Sequence, residues 1–338
     1  MTRTVLVSLL TVAATLAAFA VILLVGSVDI PASEVWAALT GGEVSRPAWR
    51  IIVLDTRLTT ALTALLAGAA LSVAGLLLQT TFDNPLAGPS ILGISTGASL
   101  GVAVVMLALG GAVLTTIGQA AVIAGALAGA SAVIIALLAM ASVVRSATML
   151  LIVGILVGYL ASSAIALLNF FSTREGVHSF AIWGLGNFGA VPRGDMLLFT
   201  FLVLVPLLVS MCYIKPLNAL LLGSRYAESV GVSLRRTRTG LLAISGVLTA
   251  VVTAWCGPIG FIGLVVPHIA RMALRTSNHR SLLPYTALAG AAVAVICQML
   301  CALPAAAGTI PVNAITPIIG VPVIIYIILR RRSLFYFK

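Results

Sequence analysis

Long apolar runs separated by short polar breaks organise this chain. Ten such runs stand out: Val5–Gly26, Leu58–Thr80, Ile91–Ile117, Ala120–Val144, Ala147–Phe171, Met196–Ile214, Thr239–Cys256, Pro258–Leu274, Leu282–Leu303 and Val312–Leu329. An α-helix needs about 20 apolar residues to cross the hydrocarbon of a bilayer. The pattern therefore predicts an all-α polytopic membrane protein with about ten transmembrane helices. The run at Pro258–Leu274 is the shortest, and Pro206 interrupts the run from Met196. The first run is longer than a signal-peptide core and many others follow it, so it is read as a retained helix.

Composition supports lipid as the solvent. Of the 338 residues, 61% are apolar and 8% charged, against about 25% charged in a soluble domain. The net charge is +11. Its distribution argues for membrane orientation and against nucleic-acid binding. With the N-terminus inside, fourteen of the 19 basic residues fall on inner segments, among them Arg3, Arg145, Lys215, Arg235, Arg236, Arg238, Arg275, Arg331, Arg332 and Lys338. Only Arg46, Arg50, Arg57, Arg174 and Arg193 fall outside. The positive-inside rule then places both termini in the cytoplasm of a multi-pass inner-membrane protein.

The acids narrow the chemistry. Asp29, Glu34, Glu43, Asp55, Asp83, Glu175, Asp195 and Glu228 all lie in loops or at the ends of runs. A carrier driven by protons or sodium ions usually holds ionisable groups at membrane depth, at about 2.5–3.5 kcal/mol each on the insertion scale. No such group is visible, so the energy comes from elsewhere. The chain also lacks a phosphate-binding P-loop, because neither lysine, Lys215 or Lys338, follows a glycine. It has no HExxH or CxxC motif, and His178, His268 and His279 are far apart in sequence. No catalytic residue, metal site or cofactor is expected. The four cysteines (Cys212, Cys256, Cys297 and Cys301) read as small apolar residues. A secondary carrier and a membrane enzyme are the competing classes, and the acid distribution and missing motifs disfavour both.

Four segments carry more specific information. Gln79–Ala98 is a Pro/Gly-rich break that is either an ordinary inner turn or the start of a pathway-lining helix. With the residue that follows it, the segment contributes Gln79, Asn84, Pro85, Ser95, Thr96, Gly97 and Ser99 as candidate pathway residues, and Gly97 with Gly101 makes a small-xxx-small face. The inner loop 215–238 predicts two short helices, Leu217–Leu222 and Arg225–Val230, closed by Gly223 and Gly231. Tyr226, Val230 and the leucines at 220–222 would offer an apolar surface flanked by charge. That surface suits a cytoplasmic protein, with an interfacial helix on membrane lipid as the rival. Cys256–Arg271 reads as a broken helix beside a transport path, with His268 packed or capping and Arg271 anchored at the inner interface. Leu303–Pro322 turns at the outer face and begins the last run, where Asn313 and Thr316 lie one turn apart.

Taken together, these segments resemble the FecCD-type permeases. The likeness rests on Arg57-Leu, Leu66-Ala-Gly-Ala-Ala-Leu, Gln79, Asn84-Pro-Leu-Ala, Leu92-Gly-Ile and Gly97-Ala. It continues through Leu217-Asn-Ala-Leu, Leu222-Gly, Ala227 and Gly231-Val, then Gly257-Pro-Ile-Gly-Phe-Ile-Gly-Leu, Pro267-His-Ile and Arg271, and the Leu303–Pro322 tail. The resemblance runs from about residue 57 to the C-terminus. It implies the fold of a type II ATP-binding cassette (ABC) importer permease, as a single transmembrane domain over residues 1–338. Such a permease pairs as a homodimer, or as a heterodimer with a paralogous permease. It docks a cytoplasmic ABC ATPase dimer below and an extracytoplasmic substrate-binding protein outside, and it carries an iron–siderophore, haem or cobalamin. By the same resemblance, Leu222, Gly223, Ala227, Glu228 and Gly231 match the ATPase-coupling helices, to which Leu217 and Tyr226 belong. Arg57 matches the first of two basic residues that dock the binding protein. The second is Thr60 here and the intervening proline is Thr59, so Arg46, Arg50, Arg174 and Arg193 are the alternative ion-pairing groups.

Overall fold

The computed structural model describes residues 3–109, 116–144, 146–303 and 309–330. The outer turn expected at 304–308, residues 110–115 of the third run, and Arg145, Arg331, Arg332 and Lys338 lie outside the described residues. The described chain is helical throughout, with no strand among its residues. Its elements are α1 (Arg3–Leu24), α2 (Ala32–Thr40), α3 (Pro47–Ile51), α4 (Thr59–Thr81), α5 (Ile94–Leu109), α6 (Thr116–Val143), α7 (Ala147–Phe171) and α8 (Arg174–Gly184). They continue as α9 (Met196–Met211), α10 (Ile214–Leu220), α11 (Ser224–Ser229), α12 (Leu234–Cys256), α13 (Ile262–Leu274), α14 (His279–Ala302) and α15 (Val312–Arg330). Seven helical segments are long and apolar enough to cross a bilayer. The other three expected runs form shorter apolar helices, within α5, α13 and α15.

α4 is the hub. Nearly all its residues are buried, because its Ala, Gly, Ser and Thr positions let α14, α12, α13 and α9 close in on every side. α5 packs on α6 and α7, α6 on α12, and α1 on α14. Three of these crossings bring backbones together, among them α4 with α14, where a methyl group at Gly68 would overlap the Gly290 carbonyl oxygen. A methyl group at Gly101 would overlap the Gly125 carbonyl oxygen of α6, and one at Gly129 would overlap the Gly97 carbonyl of α5. One at Gly75 of α4 would overlap the Gly263 carbonyl of α13. The small-xxx-small face of α5 thus meets a matching face of α6.

The second run does not begin at Leu58. A continuous helix rises from Pro47, passes through a π-helical stretch at Ile52–Leu58 and becomes α4. A π segment changes the angular position of the residues that follow it. Arg57 lies in this stretch with only 6% of its surface exposed. Its Nη1 donates to Leu23 O (2.8 Å) and Leu24 O (3.0 Å), and its Nη2 to Val28 O. The last carbonyls of α1, which have no partner within their own helix, are closed by this guanidinium.

Candidate translocation cavity and coupling surface

A cavity of about 500 Å³ opens between α5, α7, α8, the 258–261 turn before α13, and α15. Its polar wall consists of Ser90, Ser95, Thr96, Ser99, Ser162 and Asn313, and its apolar wall includes Ile165, Phe180, Ile259, Phe261 and Pro317. Among the described residues it is lined by hydroxyl, amide and apolar groups, with no Asp, Glu, Lys, Arg or His. Among those residues, too, no three His, Cys, Asp or Glu side chains gather as metal ligands would.

The break before α13 shapes the wall. Gly257 (φ +75°) ends α12. Phe261 holds φ +67°, a conformation a bulky side chain adopts at a cost of about 1–3 kcal/mol and only where its surroundings hold it. The Ile262 amide donates to Gly260 O (2.8 Å) across it, closing a tight turn. Asn313 supplies the holding contacts. Its Oδ1 accepts from Gly260 N (3.2 Å), and its Nδ2 donates to Gly184 O (3.2 Å) and Pro258 O (2.6 Å). Its backbone amide donates to Leu185 O (3.2 Å). One side chain thus ties the ends of α8, α12 and α15 together at the cavity wall.

The structure divides the candidate pathway residues into groups. Ser95, Thr96, Ser99 and Asn313 line the cavity. Gly97 is on the α5 face packed against Gly129, and Thr316 is buried outside the cavity wall. Gln79, Asn84 and Pro85 are at the end of the bundle that carries α10 and α11, around a separate crevice with Thr80, Asp83, Leu220, Leu221 and Arg271. There Gln79 joins two helices, donating to Leu264 O (3.1 Å) and accepting from Arg271 Nη1 (2.7 Å). Arg271 is buried, not anchored at the interface as its position near a helix end had implied. His268 Nε2 reaches Pro85 O (2.8 Å), which fits the expected capping role.

The 215–238 segment folds as two short helices, each a residue or more earlier than expected: α10 starts at Ile214 and α11 at Ser224. Gly223 (φ +99°) makes the corner between them, a backbone angle that favours glycine. Leu217 and Ala227 are fully buried and fasten the pair to the bundle. Leu222, Tyr226 and Val230, spaced by four residues, are 65%, 47% and 53% exposed. Glu228 and Gly231 are exposed beside them.

At the opposite end Arg57 is turned inward, so it presents no free charge for docking. Arg193 pairs with Asp55 at 2.8 Å, Arg46 stacks on Trp49 (5.1 Å to the ring centroid), and Arg50 and Arg174 are exposed. The burial of Arg57, Arg271 and Gln79 had no local signal in the sequence beyond a polar residue near the end of an apolar run.

Such a bundle, with a hydroxyl-lined cavity and two short helices at one end, is that of a multi-pass transport permease. Residues 13–330 match the model of the FecCD transport family. The chain is 36% identical over 303 residues, 89% of this chain and 90% of the relative, to "Vitamin B12 import system permease protein BtuC" of Shigella boydii serotype 18 (strain CDC 3083-94 / BS512). The protein of the same description from Escherichia coli O9:H4 (strain HS) has the same identity and coverage. A solved inward-facing structure of a transporter assigned to the metal-chelate ABC type superposes with a TM-score of 0.83 at 26% identity, covering 96% of this chain and 98% of that one. The chain belongs to the FecCD transport family and is a multi-pass protein of the inner membrane.

Proposed function

We propose that this protein is the permease subunit of an ABC importer that moves a bulky metal chelate into the cytoplasm, with cobalamin the first cargo to test and ferric siderophores and haem after it. The observation that carries the reading is the exposed Leu222–Tyr226–Val230 stripe, which runs along α11 and the turns at its two ends, on a helix pair anchored by the buried Leu217 and Ala227. Within residues 215–238 this stripe is the contact for a separate ABC ATPase dimer, and both termini share its cytoplasmic side. A second copy of this chain, or a paralogous permease, completes the pathway wall, and a substrate-binding protein delivers cargo at the opposite end through Arg50, Arg174 and their neighbours. The cargo preference draws support from the names of the relatives and from the uncharged cavity wall, which suits a ligand that needs hydrogen bonds more than counter-charges. The coupled motion is alternating access: ATP-driven closure of the ATPase pushes on 217–231 and opens the two ends of the cavity in turn.

The experiment is uptake of radiolabelled cobalamin into vesicles containing the chain and the ATPase that co-purifies with it. A Leu222→Ala/Tyr226→Ala double variant should lose ATPase association and uptake while keeping the melting temperature of the wild type. Normal association and uptake would remove this stripe from the reading.

A further inference from the structure

We infer that Asn218, His279 and Thr80 form a releasable hydrogen-bonded link that transmits movement of α10 to the core helix α4, with His279 as the positioning residue. This rests on the ATP-driven reading above. The bonding pattern follows from what each atom can do. Asn278 Oδ1 accepts from Arg280 N (2.9 Å), so it is an acceptor, and the Asn218 atom bonded to it at 3.0 Å is the donor Nδ2. The other Asn218 atom is then Oδ1, which accepts from the backbone amide of His279 (2.8 Å). The same Oδ1 lies 3.0 Å from His279 Nδ1. Two acceptors cannot share a bond without a proton, so Nδ1 carries the hydrogen. In the neutral ring Nε2 is left as an acceptor, and Thr80 Oγ1, 3.0 Å away on α4, donates to it.

The Thr80 hydroxyl has one hydrogen and two acceptors. Leu76 O is also 3.0 Å from Oγ1. The hydrogen can turn to the helix's own carbonyl without leaving the hydroxyl unsatisfied, so the cost of opening the link falls on the buried His279 Nε2 alone, which loses its donor. It is the only one of these contacts with such an alternative. The Asn218–His279 side is held by two bonds, and His279 is fully buried, where each bond counts for more than in water. The residue before Asn218 is Leu217, the buried anchor of α10, and the residue before Thr80 is Gln79, which is tied to Arg271 and Leu264 of α13. A push on α10 therefore arrives at α4 through this breakable bond as well as through the direct packing of α10 on α4 and α14, and Gln79 passes it on to α13.

The test uses the full chain reconstituted with the co-purifying ATPase, reading cobalamin uptake and ATP hydrolysis in the same vesicles. Thr80→Val keeps the shape and removes the hydroxyl, Thr80→Ser restores it, and Asn218→Ala cuts the other side. Losing one bond of about 1 kcal/mol predicts roughly 5-fold less cargo per ATP for Thr80→Val; Asn218→Ala, which removes both bonds to His279 and the one to Asn278, should lose more, with hydrolysis and assembly retained in each. Thr80→Ser should stay near the wild type. An unchanged ratio in both disruptive variants overturns the link, as does a loss of uptake that only follows a loss of assembled complex. Wild-type uptake that needs no ATP would instead overturn the functional reading on which the link rests.

Discussion

Replacing Arg57 by methionine separates two roles for this residue. The structure gives its guanidinium three carbonyl acceptors at the end of α1. Hydrogen bonds to a charged group contribute about 1.5–3 kcal/mol each, and a buried acceptor left alone costs about 1–3 kcal/mol. Leu24 and Val28 are exposed enough to gain water in the variant, while Leu23 is buried. The net loss is then about 2–4 kcal/mol. With an unfolding entropy near 2.1 cal/mol/K per residue, this chain should melt roughly 3–6 °C lower. Arg57→Lys should recover part of the loss, because an ammonium cannot reach three diverging carbonyls as a planar fork does. The assay is labelling by a thiol-reactive dye during a thermal ramp: Cys256, Cys297 and Cys301 are buried and report unfolding, whereas Cys212 is exposed and sets the baseline. A methionine variant that melts like the wild type yet fails to bind the substrate-binding protein would refute the structural role and restore the docking role that the family resemblance implied.

Three further outcomes are expected. Gly101→Leu would drive a side chain into the Gly125 carbonyl, so it should cost more than about 3 kcal/mol, seen as low yield and early melting in the same dye assay. Asn313→Ala removes three side-chain contacts. Hydrogen exchange at residues 184–186 and 257–261 should then rise by more than about 10-fold, for a loss of 2–4 kcal/mol. Glu34 is held below its ordinary carboxylate range by the Ser45 hydroxyl first and then by the Ser45 amide. The stability it lends to the packing of the 41–45 turn on α2 is present above the ordinary carboxylate pKa and lost as pH falls through the lowered value; Ser45→Ala should move the Glu34 titration upward in carbon-detected NMR.

Hydrophobic patterning reached the bundle readily, since a helix in lipid must close its own backbone hydrogen bonds and announces itself by length and composition. The two short helices at 214–229 were legible from glycine positions, because the corner at Gly223 requires a positive φ. Direction was harder to read. The Gly97–Gly101 face was visible as a contact surface, but only the structure turns it toward α6 and leaves Ser95, Thr96 and Ser99 to the cavity. The π-helical stretch before α4 has no local signature, since it exists where α1 needs a cap, a tertiary demand on Arg57. Gln79 and Arg271 looked like pathway and anchor residues for the same reason: each is polar near a helix end, and their partnership spans 192 residues of sequence.

The backbone contact between α5 and α6 constrains how this molecule can change shape. Where two helices touch through Gly97, Gly101, Gly125 and Gly129, main chain meets main chain and the only side chains set against these glycines are Val133 over Gly97 and Val105 over Gly125. Rotating either helix about its own axis would drive Val105 or Val133, already seated on the partner's glycines, further into its main chain. The pair must therefore travel as one rigid plank, and any widening of the cavity beside α5 has to be taken up at its borders with α7 and the turn before α13.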